Sequence, residues 1–185
     1  MKKLLKLTGG SFAGRKLYVP ESGVRPATNR VREAIFSTLF SYFDNGVKGL
    51  LVLDLFAGTG SLGLEALSRG AAGVTFVDSR AESVKAIQRN LEILGFAARV
   101  IRDDVNRFLR RQTQISCDLV FVDPPYAYRG CGRLLELLQR GIASGSSAVV
   151  VYERAYSDAL PEFGEKVSFL KRRKYGQTEL LYYRI

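Results

Sequence analysis

From residue 50 onward, short apolar runs alternate with amphipathic stretches, and this rhythm constrains the fold more than any other feature. LLVLDL (50–55), GVTFVD (73–78), ARVIR (98–102), CDLVFVD (117–123) and AVVVYE (148–153) read as strands. Helix patterns cover about 61–69, 80–94, 104–111 and 131–142. Several of the strands are continuously apolar, as expected of parallel strands covered on both faces. The alternation calls for right-handed crossovers and a doubly wound α/β sheet. It breaks at the end. Residues 166–173 and 178–184 are strand-like, and Lys174-Tyr175-Gly176-Gln177 leaves no room for a crossover helix. These two segments are expected to pair as an antiparallel hairpin at the sheet edge.

The front of the chain differs. Residues 1–24 carry short alternating segments around Gly9-Gly10, Gly14 and Gly23, a pattern for a small β-hairpin or extended arm. Residues 28–43 read as a helix capped by Thr28 or Asn29, with Val31, Ala34, Ile35, Thr38 and Leu39 along one face. The expected organisation is a basic arm, 1–24, on a single domain, 25–185. A chain of 185 residues suits one core, and 46% hydrophobic with 25% charged residues is ordinary globular composition.

Composition then narrows the chemistry. There is no histidine, which removes Ser-His-Asp and Cys-His nucleophile pairs and the usual His-containing zinc sites. With two cysteines, Cys117 and Cys131, a four-cysteine metal site is impossible, and reduced thiols are expected. No metal is expected. No apolar stretch reaches the ~18 residues that span a bilayer. MKKLLKL starts like a signal peptide, but Lys6 and Gly9-Gly10 cut its apolar region short. A cytoplasmic protein without a membrane partner is expected. The net charge of +10 favours a polyanionic partner, nucleic acid first. Lys2, Lys3, Lys6, Arg15, Lys16, Arg25, Arg30 and Arg32 crowd the front, and Lys171-Arg172-Arg173-Lys174 form a second basic run. A solvated surface would look the same, so only folding can bring the clusters onto one face.

LDLFAGTGSLG (53–63) joins the first strand to its helix and holds Gly58-x-Gly60-x-x-Gly63. Glycines permit a tight turn and close approach of a ligand, and the helix starting near Ser61 offers free backbone N–H groups. Asp78 ends the second strand 20 residues after Gly58, where a carboxylate can accept hydrogen bonds from ribose hydroxyls. Both a nicotinamide dinucleotide and S-adenosylmethionine fit so far. Asp54, just before the loop, favours the latter because it can meet an ammonium group. So does Asp103 or Asp104 at the end of the third strand, where adenine would be read. Little chain remains for a second, hydride-acceptor domain.

VFVDPPY (120–126) ends the fourth strand abruptly at the same end of the sheet. Pro124 and Pro125 have fixed φ and no N–H, but their carbonyls accept. Asp123 and the Pro124 carbonyl thus form a rigid acceptor pair, with the Tyr126 ring beside them. An exocyclic amine on an aromatic base matches it: two N–H donors, a delocalised lone pair, and a flat ring to stack. Holding both hydrogens directs the nitrogen lone pair at a methyl donor.

DLFAGTGSLG (54–63) followed by DPPY (123–126) resembles the class I S-adenosylmethionine-dependent methyltransferases that act on nucleobase amines. GGSFAGRKLYVP (9–20) and RPATNRVREAIFSTL (25–39) are similar to the bacterial 16S rRNA guanine-N2 methyltransferase (RsmD-like) family. The resemblance implies a Rossmann-like, seven-stranded, mostly parallel sheet with its last strand antiparallel, and S-adenosylmethionine as cofactor. It implies methylation of a guanine 2-amino group in 16S rRNA of the small ribosomal subunit. It assigns Thr28 and Arg30 to the methionine end, Phe56, Ala57, Gly58 and Gly60 to wrapping the cofactor, Asp78 to the ribose, and Asp104 or its neighbours to adenine. Asp123, Pro124 and Tyr126 would hold the base. Lys3, Arg15, Lys16, Arg25, Pro125, Arg172 and Arg173 are the expected RNA contacts, and a monomer is expected. A DNA adenine-N6 methyltransferase shares DPPY but usually carries an added target-recognition domain, for which 185 residues leave little space. A non-catalytic RNA-binding assembly factor would not need DPPY and the glycine loop intact.

Overall fold

The computed structural model describes residues 5–20, 28–125, 128–142, 147–157 and 167–185. Lys3, Arg25 and Tyr126 lie outside them. Two strands, β1 (Leu5–Lys6) and β2 (Lys16–Leu17), pair antiparallel as the expected hairpin. Then follow α1 (Asn29–Leu39), β3 (Leu51–Leu55), α2 (Ser61–Ser68), β4 (Gly73–Asp78), α3 (Ala81–Leu94), β5 (Arg99–Arg102) and α4 (Val105–Arg111). The chain continues through β6 (Leu119–Val122), α5 (Cys131–Gly141), β7 (Val149–Ala155), β8 (Ser168–Tyr175) and β9 (Thr178–Arg184).

Seven strands form one sheet in the order β5-β4-β3-β6-β7-β9-β8. β3 to β7 are mutually parallel; β9 inserts between β7 and β8 and runs antiparallel to both. The terminal hairpin was expected at the edge, and the structure refines this: of its two strands β9 lies inside the sheet and β8 forms the edge. Its Lys171–Lys174 run faces solvent and discourages further strand pairing. The strand order reverses between β3 and β6, the place where open α/β sheets form a ligand crevice beyond their carboxyl ends.

Each strand's alternation divides the core into two layers. Val52, Phe76, Phe121, Val151, Leu180 and Tyr182 face α1, α2 and α3. Leu53, Val77, Val122, Tyr152 and Leu181 face α4 and α5. α2 is buried along its whole length. A Cβ at Gly63 would lie 2.2 Å from the Phe76 ring, so glycine lets this helix sit tightly on the sheet. The arm is no loose appendage. Leu5, Leu7 and Leu17 belong to the same core layer as α1 and α2. Polar clamps reinforce them. Fully buried Glu65 of α2 accepts the Thr8 N–H and hydroxyl, both at 2.8 Å, and the Arg69 Nε–H at 2.9 Å. Buried Arg32 of α1 donates to the Lys6 carbonyl and to Asn29 Oδ1. Burial of the Glu65 carboxylate is tolerable because its oxygens are bonded.

Candidate active site

A cavity of about 560 Å³ opens at the carboxyl ends of the strands. Phe56 to Thr59 after β3, Asp78 to Arg80 after β4, and Asp104 and Val105 after β5 wall one half. Asp123, Pro124 and Pro125 after β6, Glu153 and Arg154 of β7, Thr178 at the start of β9, and Thr28 and Val31 of α1 wall the other. The reversed direction of β9 brings its first residue to this end.

The glycine loop is shaped from within. Gly60 sits at φ 76° and ends the loop directly before α2. Phe56 holds φ 56°, the left-handed region that a bulky residue enters only at a cost of ~1–3 kcal/mol. Its ring packs edge-on against Tyr128, with centroids 5.0 Å apart. Asp78 organises the loop from the next strand. One carboxylate oxygen accepts the Gly58 N–H at 2.8 Å and the other the Arg80 N–H at 2.9 Å. A carboxylate has about four lone-pair sites, so capacity remains for hydroxyl donors in the cavity.

The structure separates residues that the sequence placed together. Asp54 does not line the cavity. It is buried behind the loop, where its carboxylate accepts the Gly63 N–H at 2.9 Å; the expected ammonium contact gives way to a brace for α2. Burial, opposed by that hydrogen bond and aided by the charge of Asp78, pushes its carboxyl up to about 8. Of the two candidate adenine readers, Asp104 lines the cavity, while its side chain also caps α4 by accepting the Arg107 N–H at 3.0 Å. Asp103 is turned away and held by Arg107 and Arg111. Thr28 lines the cavity and caps α1, accepting the Val31 N–H at 3.3 Å; Arg30 is exposed and does not line it. Gly60 shapes the loop without facing the cavity.

Asp123 stands where the end of β6 suggested, with Pro124 and Pro125. The Pro125 carbonyl accepts the Tyr128 N–H at 2.8 Å. Burial raises the Asp123 pKa well above the ordinary carboxylate range, and the charges of Glu153 and Asp54 raise it further. Glu153, Tyr128, Thr178 and Arg80 were not singled out in the sequence. Glu153 carried a readable signal: AVVVYE ends an apolar run in a carboxylate, as VFVD does. Thr178 carried none, because its place follows from the insertion of β9.

Among the basic residues, Arg15 and Lys16 are exposed on the arm. Arg172 and Arg173, adjacent in sequence, point to opposite faces. Arg173 pairs with Leu180, on the face of α1, and Arg172 with Leu181, on the other. Arg172 approaches Glu179 at 3.4 Å, while Arg154 holds the same acid at 2.6 Å. Among the described residues no group of three or more His, Cys, Asp or Glu could hold a metal ion. No helix of the described residues is long and apolar enough to cross a membrane.

A family model described as "Conserved hypothetical protein 95" matches residues 5–184. Ribosomal RNA small subunit methyltransferase D of Escherichia coli (strain K12) is 36% identical over 176 residues, covering 94% of this chain and 86% of its own. YlbH of Bacillus subtilis (strain 168) is 34% identical over 185 residues, 97% of this chain and 98% of its own. The solved structure of yhhF from Escherichia coli superposes with a TM-score of 0.85 at 34% identity, covering 98% of each chain. The chain belongs to this family, alongside the small-subunit ribosomal RNA methyltransferase D proteins.

Proposed function

We propose that the chain transfers a methyl group from S-adenosylmethionine to the exocyclic 2-amino group of a guanine in 16S rRNA of the small ribosomal subunit. The observation that carries this reading is one cavity holding both a nucleoside cradle and the Asp123-Pro124-Pro125 acceptor turn. The family relative named for small-subunit rRNA supports the substrate.

The cradle fits the cofactor. The loop at 56–59 approaches from one side, Asp78 has acceptor capacity for ribose hydroxyls, and Asp104 with Val105 closes the adenine end. Thr28, at the start of α1, lines the same cavity and is the residue we assign to the methionine end. When bound, S-adenosylmethionine would supply a methyl group carried on a sulfonium. The work of the chain is then positioning. Asp123 and the Pro124 carbonyl accept the two N–H bonds of the base amine and turn its lone pair toward the donor. Once the nitrogen is methylated it is acidic, and Asp123, whose pKa is raised, is the group placed to take the proton.

The test is incubation with labelled S-adenosylmethionine and small subunits lacking the modification, then nucleoside analysis. Labelled N2-methylguanosine is the expected product. N6-methyladenosine would favour adenine-amine chemistry, and no label would favour a binding role.

A further inference from the structure

We infer that Glu153 reads the ring edge of the target purine, accepting the N1–H of guanine and thereby selecting guanine over adenine. The inference rests on the proposed reaction and names the residue that sets its base specificity.

Placement comes first. Val122 of β6 pairs with Tyr152 of β7, so Asp123 and Glu153 are the next residues along neighbouring parallel strands, ~4.8 Å apart in the sheet direction. Alternation turns both toward the face of α1, since Phe121 and Val151 point that way while Val122 and Tyr152 point the other. Both line the cavity beside Thr28, Val31 and Pro124. Their proximity is also felt electrostatically, because the charge of Glu153 helps raise the pKa of Asp123. The acid on the opposite face, Glu179, is held between Arg154 and Arg172.

The chemistry follows from the two purines. Asp123 and the Pro124 carbonyl accept the two hydrogens of an exocyclic amine, and guanine and adenine both supply these. The next ring atom distinguishes them. Guanine N1 carries a hydrogen, and adenine N1 carries a lone pair. A carboxylate one strand over from Asp123 finds a donor in the first case. In the second it meets a lone pair, repelled and unbonded. A site with only the Asp-Pro-Pro turn would hold either amine, and the added acid makes the choice.

The experiment uses the full chain with reconstituted small subunits carrying guanine or 2-aminopurine at the position the wild-type protein methylates. 2-Aminopurine keeps the 2-amino group but has a lone pair at N1. The wild-type protein should prefer guanine by about 100-fold in kcat/KM, equivalent to about 2.8 kcal/mol at 1.4 kcal/mol per tenfold. Glu153→Gln, whose amide N–H can donate to a bare N1, should shrink that preference at least tenfold. Its S-adenosylmethionine affinity by calorimetry and its melting temperature should stay near wild type, as folding controls. Equal loss on both bases would make Glu153 a structural acid and overturn the inference. Wild-type protein that methylates 2-aminopurine within threefold of guanine would overturn it with no variant required. Absence of N2-methylguanosine from the wild-type reaction would sink the proposed reaction together with this inference. N2-methylguanosine with an unchanged base preference in the variant would sink this inference alone.

Discussion

At the scale of single residues, the site is a set of carboxylates with distinct tasks. Asp78 organises the loop, Asp54 braces α2 from behind it, and Asp123 faces the cavity. Asp123→Ala removes the amine acceptor but no part of the cradle. Methyl transfer should fall by 10²-fold or more on the order of a lost transition-state contact, with cofactor affinity by calorimetry little changed. Parallel loss of both would move Asp123 into the cofactor site. Asp54 predicts a pH effect. Its carboxyl titrates about 8 in the fold, against an ordinary value of 3.8. Between these values the folded protein keeps a proton that the unfolded chain releases. The stability this group contributes is complete below about 3.8 and is lost as pH rises through about 8. Asn at 54 keeps an oxygen for the Gly63 N–H and cannot ionise. Melting curves should show the difference between Asp54→Asn and wild type shifting in favour of the variant from about pH 5 to pH 9. A difference independent of pH would show that Asp54 titrates normally.

At the scale of elements, one buried side chain links the arm to the glycine loop. Asn90 of α3 is fully buried. Its Oδ1 accepts the Tyr18 N–H at 2.7 Å, and its Nδ2 donates to the Tyr18 carbonyl at 3.0 Å and the Thr59 carbonyl at 3.4 Å. The segment after β2 is therefore bonded through α3 to the loop that walls the cavity. Asn90→Ala leaves the Tyr18 groups without this partner and should destabilise the fold by ~1–3 kcal/mol. Cofactor affinity should also weaken, because Thr59 loses a restraint. Denaturant unfolding and calorimetry read the two effects separately, and an unchanged affinity would confine Asn90 to anchoring the arm.

At the scale of the whole molecule, the α1 face carries the arm, the Asp123–Glu153 wall and Arg173 together. That arrangement predicts which basic residues meet RNA. Removing Arg15 and Lys16 together should weaken RNA binding and lower the slope of log affinity against log salt by roughly 0.7–0.9 per lost phosphate contact. Arg173→Ala should act the same way. Arg172→Ala should leave the slope nearly unchanged, since Arg172 lies on the other face beside Glu179. Equal effects from the two arginines would contradict the division into faces.

Local physics made much of this legible in sequence. Continuous apolar runs mark buried strands wherever they fall, so β3 to β7 lie within a few residues of their expected bounds. Glycines at a strand–helix turn and prolines after an apolar run restrict the backbone locally, so Gly58-x-Gly60 and Asp123-Pro124-Pro125 marked a tight loop and an abrupt strand end in any context. The face a side chain presents and the partner it meets depend on strands far away in the chain. Asp54 looked like a ligand because it precedes the loop, and the fold gave it to Gly63. Arg172 and Arg173 looked like one patch until pairing with β9 split them. Glu153 became a neighbour of Asp123 only when β7 docked beside β6 in that register. Composition and spacing therefore told where a glycine loop and a rigid Asp-Pro-Pro turn interrupt the chain, through backbone restrictions that act within a few residues. Which carboxylates share the cavity was settled by strand order and register, because those set distances between residues that the chain itself keeps far apart.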